Sequence, residues 1–276
     1  MNLSIGLSPC PNDTFIFYAL LHGKIETGGI TFLPVLAEVE ILNRKALAAE
    51  LDVSKISFAV YPFIQDQYAL LTAGSALGNN CGPLLISRKS IHEGDMATHT
   101  VAVPGKYTTA NFLFETFFPK HGIKSEMVFS EIENALLQGN IDTGVIIHEN
   151  RFTYEKRGLR KIVDLGERWE QATGHPIPLG GIAIKRSHEP GIGAFIGQLI
   201  RQSVQYAFAH PEEAISFVRE HAQEMDEAVM WQHIRLYVND YSVSLGEKGS
   251  AAIEKFFDYA IHQKIIGEIR RPLFIE

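Results

Sequence analysis

His148 closes the apolar run Val145-Ile146-Ile147 and is followed at once by Glu149. An unperturbed imidazole titrates near pH ~6.5, so a neutral ring at the carboxyl end of a strand can accept a proton from a bound substrate. A hydrogen-bonded structural histidine is the other reading of that position. Near the start of the chain, Ser8-Pro9-Cys10-Pro11-Asn12-Asp13-Thr14-Phe15 follows the strand-like Leu3-Ser4-Ile5-Gly6-Leu7. Two prolines fix φ and remove two amide donors, which forces a rigid turn off the strand. Asn12 or Asp13 is then placed to cap a helix over 14–22, whose free N–H groups suit a carboxylate or phosphate. A capped strand-to-helix turn with no ligand fits the same residues.

Three weaker groupings add to this inventory. Gly105-Lys106-Tyr107-Thr108-Thr109-Ala110-Asn111 follows a strand and opens a helix, so its hydroxyls and amides serve either an anion or a plain N-cap at Thr108 or Thr109. Ser54-Lys55-Ile56-Ser57 puts two hydroxyls and an amine near the start of a strand, and Asn79-Asn80 offers ligand contacts or turn residues tolerant of positive φ. Several chemistries find no support. Gly105-Lys106 lacks the second glycine of a phosphate loop, Gly191 and Gly193 lack the third glycine and preceding strand of a dinucleotide fingerprint, and no serine sits in a Gly-x-Ser-x-Gly elbow. His92, His148 and His188 each precede a glutamate, yet none continues into His-Glu-x-x-His, so no metal is expected.

The elements that must position these residues alternate. Strands are predicted over 3–7, 31–36, 56–60, 68–72 and 84–88, with helices over 14–22 and 39–51. A second set begins near Ser90: strands over 100–103, 126–129 and 143–147, and helices over 108–118 and 131–138. A strand over 180–184 returns to the first set, and the remainder is helical over 192–209, 211–221, 226–238 and 247–263. The alternation predicts a parallel α/β architecture with crossover helices. A chain of 276 residues exceeds the roughly 100–200 residues of one core, which predicts two domains. The larger is discontinuous, residues 1–88 plus 186–276, and the smaller, 89–185, is inserted into it. Two crossovers of that kind create a ligand cleft between the domains.

The 25 basic and 32 acidic residues give a net charge of -7 with no long basic run, which argues against nucleic acid. Two cysteines, Cys10 and Cys81, suit a reducing cytoplasm, with a bridge between them the disfavoured alternative. No apolar stretch approaches the roughly 20 residues of a membrane span and no export signal precedes the first strand, so a cytoplasmic protein is expected. A homo-oligomer is compatible with this composition.

Taken with Gly144-Val145-Ile146-Ile147-His148-Glu149-Asn150-Arg151-Phe152-Thr153, the Ser8–Phe15 motif resembles the 1,4-dihydroxy-6-naphthoate synthases from end to end, and 105–111 and Pro178-Leu179-Gly180-Gly181-Ile182 add to the likeness. The resemblance implies a two-domain fold like the type 2 periplasmic binding proteins, with mixed sheets. It implies conversion of cyclic dehypoxanthine futalosine to 1,4-dihydroxy-6-naphthoate in the futalosine route to menaquinone, without metal or other cofactor. His148 would be the proton acceptor, and Lys55, Ile56 and Ser57 with Thr108, Thr109 and Ala110 the substrate contacts; the motifs read above, not the resemblance, add Asn12, Asp13 and Asn80 to the expected contacts. Asn150 departs from the small residue expected after the His-Glu pair, which touches only local loop shape. A non-catalytic carboxylate binder of the same fold and a chorismate dehydratase are the rival readings; the Ser-Pro-Cys-Pro-Asn-Asp segment argues against the second.

Overall fold

The computed structural model describes residues 1–189, 191–222 and 226–275. They divide into two compact units, Met1–Gly78 with the described residues from Pro178 onward, and Asn79–Ile177. Among them are twelve strands: β1 (Asn2–Leu7), β2 (Thr31–Leu36), β3 (Val53–Ser57), β4 (Tyr68–Leu71), β5 (Ala76–Gly78), β6 (Leu84–Ser87), β7 (Val101–Val103), β8 (Lys124–Glu126), β9 (Thr143–Ile146), β10 (Arg160–Asp164), β11 (Ile177–Lys185) and β12 (Phe274–Ile275).

The first unit carries a seven-stranded sheet in the order β12-β4-β11-β3-β1-β2, with β5 added to β11. It is mixed, because β11 runs antiparallel to both β3 and β4 while β1 pairs in parallel with β2 and β3. Helix Pro11–Leu21 is apolar nearly all round, and every residue from Pro11 to Leu20 is buried, as a helix packed on all sides must be. Its core includes Phe15, Ile16 and Phe17 with Ile200, Val204, Ile215 and Ile234 from the C-terminal helices. Ser203 stitches that contact, donating to the Ile16 carbonyl at 2.6 Å and accepting from the Leu20 amide at 3.1 Å.

The second unit carries a five-stranded sheet in the order β10-β6-β9-β7-β8, over a core of Leu84, Ile86, Ala102, Ile132, Leu136 and Ile146. β6 was expected with the larger domain but pairs with β9 and β10; β11 pairs with β3 and β4, in keeping with a strand that returns to the first set, although the boundary expected after residue 185 left it in the smaller domain. The exchange of strands between units therefore falls earlier in the chain than the apolar pattern indicated. Both sheets are mixed, as the resemblance implies; the alternation of strands and helices alone pointed to a parallel arrangement, because it does not record which strands return antiparallel.

Two backbones meet closely in this unit. A Cβ on Gly82 would lie 2.3 Å from both Cα and N of Gly166, and one on Gly166 would lie 2.6 Å from Cα of Gly82. Main chain cannot swing aside as a flexible side chain does, so Gly82→Ala should destabilise the protein by roughly 1–3 kcal/mol. Urea unfolding checks this, and an unchanged midpoint would show that the two segments are not held at that distance.

Candidate active site

The first helix starts at Pro11, three residues before the expected start, with Cys10 as N-cap and no side-chain capping bond. Neither Asn12 nor Asp13 is therefore the cap. Proline suits the first helical position because its missing N–H has no intrahelical partner there. Asp13 falls in the first turn and reaches back to Ser8, whose amide and hydroxyl donate to Oδ2 at 3.1 and 2.7 Å. Oδ1 receives Asn12 Nδ2 at 2.8 Å and the Lys55 ammonium at 2.9 Å. Four donors fill the carboxylate's acceptor positions, and the chain thus supplies its own anion at this helix end.

Lys55 comes from β3, which begins at Val53 and gives way to a 3-10 turn over Phe58–Val60, displaced from the predicted strand over 56–60. Alternation along the strand puts Lys55 and Ser57 on one face. Both are buried, and the Lys55–Asp13 pair retains only 6% and 1% side-chain exposure. Lys55 also donates to the Gly74 carbonyl at 3.4 Å. Asn43 clamps Ser57, accepting its amide at 2.9 Å and donating to its hydroxyl at 3.1 Å, which leaves the Ser57 O–H proton to be given elsewhere. Ile56 is fully buried, and a Cβ on Gly180 would meet its carbonyl oxygen at 2.6 Å, so the glycine pair of β11 lets that strand approach β3 here.

In the second unit, Thr108 is the N-cap of helix Thr109–Phe117: its hydroxyl accepts the Asn111 amide at 3.1 Å and donates to the Gly105 carbonyl at 2.8 Å. Thr108 is therefore a cap, one of the two roles its position allows. Thr109 and Ala110 follow as the first helical residues, each about 3% exposed. Asn111 fixes the loop beneath by donating to the Lys106 carbonyl at 2.9 Å.

His148 lies just past the end of β9, half-buried, with φ at 60°. The left-handed region costs a non-glycine residue on the order of 1–2 kcal/mol, histidine being among the types found there, and such backbone tends to persist where a site requires it. Its ring meets Phe129 edge-on, centroids 4.8 Å apart. Phe129 opens helix Phe129–Gln138; it was expected in a strand over 126–129, but that strand ends at Glu126. Glu149 is buried beside it, and Arg151 donates to the Asn80 carbonyl at 2.8 Å, to Asp164 Oδ2 at 2.7 Å and to the Gly82 carbonyl. Asp164 in turn caps helix Leu165–Thr173, accepting the Gly166 and Glu167 amides. Asn80 is exposed with φ at 55°, and its amide donates to Glu170 at 2.7 Å; its main chain is thus held as a turn.

Within the first unit Asn12, Asp13 and Lys55 share one hydrogen-bonded network, with Ser57 two residues along the same strand; within the second, Thr108 to Ala110 open one helix, His148 lies against Phe129 and Asn80 under Arg151. Sequence reasoning missed Asn43, Asp164 and His233 as partners, and passed over Arg151 although its motif was in view. Both cysteines are buried and neither forms a disulfide. Burial pushes the Cys81 thiol up to about 12, so it stays protonated and unreactive at neutral pH. Iodoacetamide at pH 8 should leave Cys81 unmodified in the native protein and label it after unfolding; peptide mass analysis reads the difference, and native labelling would contradict this burial.

The chain superposes on the alkanesulfonate-binding protein SsuA of Xanthomonas axonopodis pv. citri, solved bound to MOPS, with a TM-score of 0.75 at 13% identity, covering 99% of this chain and 98% of that one. The fold is that of the periplasmic binding proteins. A crystal structure of an Archaeoglobus fulgidus protein matches with a TM-score of 0.90 at 32% identity, over 96% and 98% of the two chains. Two curated relatives are named 1,4-dihydroxy-6-naphthoate synthase: one of Thermus thermophilus, 43% identical over 99% of each chain, and one of Streptomyces coelicolor, 44% identical over 96% of this chain and 94% of its own. Residues 3–262 match the menaquinone biosynthesis family, and this chain belongs to that family. Among the described residues no helix is long and apolar enough to cross a membrane.

Proposed function

We propose that this protein is a 1,4-dihydroxy-6-naphthoate synthase, a cofactor-independent lyase that converts cyclic dehypoxanthine futalosine to 1,4-dihydroxy-6-naphthoate in menaquinone biosynthesis. The observation that carries the reading is identity of 43% and 44% along nearly the whole chain to two relatives of that name. The chemistry asks for a base to remove a proton next to a carbonyl, for groups that hold an anionic substrate, and for exclusion of water while a sugar-derived fragment leaves. His148 is the base in this reading. Lys55 supplies positive charge that Asp13 keeps in place; Asp13, with its acceptor positions filled, acts through Lys55. Ser57 donates its hydroxyl proton to substrate, while Thr109 and the amides of the helix start that Thr108 caps take a second polar group. A cytoplasmic setting fits two buried, unbridged cysteines.

Incubation of purified protein with cyclic dehypoxanthine futalosine should yield the naphthoate by mass analysis. Binding without product would favour a carboxylate receptor of the same fold. Thr109→Val should raise KM with little change in thermal stability. Ser57→Ala should raise KM and also cost roughly 1–3 kcal/mol, because it strands the buried Asn43 amide. An unchanged KM in both variants, with stability lost, would assign these hydroxyls to structure alone.

A further inference from the structure

Helix Glu227–Tyr237 sends His233 into the first unit's polar network. The ring is buried at 1% exposure, packs against Tyr237 at 4.5 Å between centroids, and brings Nε2 to 2.9 Å from Asn12 Oδ1. Asn12 is placed between two partners with opposite demands. Its Nδ2 lies 2.8 Å from Asp13 Oδ1, a contact that only an N–H donor makes favourably, since an amide oxygen there would face a carboxylate oxygen. The amide is therefore oriented with Oδ1 toward His233, and His233 must answer with a donor. The Nε2–H form of the ring is the one that satisfies both contacts.

We propose that His233 is a positioning residue for substrate binding: as the Nε2–H tautomer it locks the Asn12 amide, which with Ser8 fixes the Asp13 carboxylate and so the direction of the Lys55 ammonium. The chain of contacts runs His233–Asn12–Asp13–Lys55, all four buried and all within one unit. A His233 carrying its proton on Nδ1 alone would invite the Asn12 amide to flip, and Oδ1 would then repel Asp13 and loosen the carboxylate that orients Lys55. The proposal rests on the reading of Lys55 as a substrate contact.

The test compares His233→Leu with His233→Gln, whose Nε2 amide occupies nearly the same place as the histidine Nε2 and donates in the same way. With cyclic dehypoxanthine futalosine, His233→Leu should raise KM about 10- to 100-fold, the loss expected for a disturbed charged contact, with kcat little changed. His233→Gln should recover most of that rise. A role in packing alone predicts lowered thermal stability in both variants with KM unmoved, and that result overturns the proposal. Long-range 15N–1H spectra of the wild-type protein, with the His233 ring assigned by its disappearance in His233→Gln, should show a proton on Nε2; an Nδ1–H tautomer overturns the proposal whatever the kinetics. This spectrum decides if His233→Leu does not fold. Wild-type protein that turns over no substrate counts against the synthase reading instead, and the tautomer then upholds or overturns the hydrogen-bond chain by itself.

Discussion

Replacement of His148 by asparagine should lower kcat by about 10² to 10⁴, the usual contribution of a positioned general base, while circular dichroism and the unfolding midpoint stay near wild type. Asparagine is the substitution of choice because it tolerates the left-handed backbone that His148 adopts at φ 60° and has no basic nitrogen. His148→Gly sharpens the test. Glycine adopts positive φ without the steric cost, so this variant should lose turnover equally and yet unfold no earlier than the wild type. Activity lost while backbone strain is relieved is the mark of a residue kept for chemistry. Near-normal turnover in either purified variant would reject the base and return His148 to a structural role against Phe129.

The second large effect is expected at Lys55. Its ammonium and the Asp13 carboxylate are buried together at 2.9 Å, and removing one member of such a pair leaves the other charge without compensation, at a cost of roughly 3–5 kcal/mol. Lys55→Met keeps the length of the side chain and should lower the melting temperature by roughly 10 °C for a chain of this size. Adding Asp13→Asn to Lys55→Met should recover part of that loss, because the stranded charge is gone. Coupling of this kind is expected between groups in contact. A single Lys55→Met variant within about 1 kcal/mol of wild type in urea would show that the carboxylate is not relying on the ammonium.

Helices with a clear apolar period were legible from sequence to within a residue at several ends: Ile192–Ala209 and Pro211–His221 fall where expected. The strands fared differently where polar residues enter them. β3 contains Ser54, Lys55 and Ser57, which tertiary partners satisfy; apolarity alone moved the expected strand onto the following Phe58–Val60 turn. β10 and helix Leu165–Thr173 were not anticipated, since Arg160 and Lys161 are exposed on an edge strand and the helix carries a mostly polar run capped by Asp164. The polar motifs were visible as motifs, but their internal order was not. Nothing local distinguishes Asp13 as a cap from Asp13 as the counter-ion of a lysine on another strand, and no spacing rule links Asn12 to His233, 221 positions away. Such partners are supplied by topology, which places a late helix over an early one.

The position of β11 between β3 and β4 bears on the order in which the protein is made. On a ribosome the five-stranded sheet is complete once Asp164 has emerged, being drawn from one uninterrupted stretch, whereas β3 and β4 must wait for the strand that lies between them and for the helices that cover the first one. The earliest residues to be synthesised are thus among the last to gain their neighbours, and Leu3, Ile5 and the apolar helix after them stay uncovered through the synthesis of more than half the chain. Nascent chains halted when Asp164 has cleared the ribosome and the later helices have not should present a protease-resistant second unit attached to a protease-sensitive beginning.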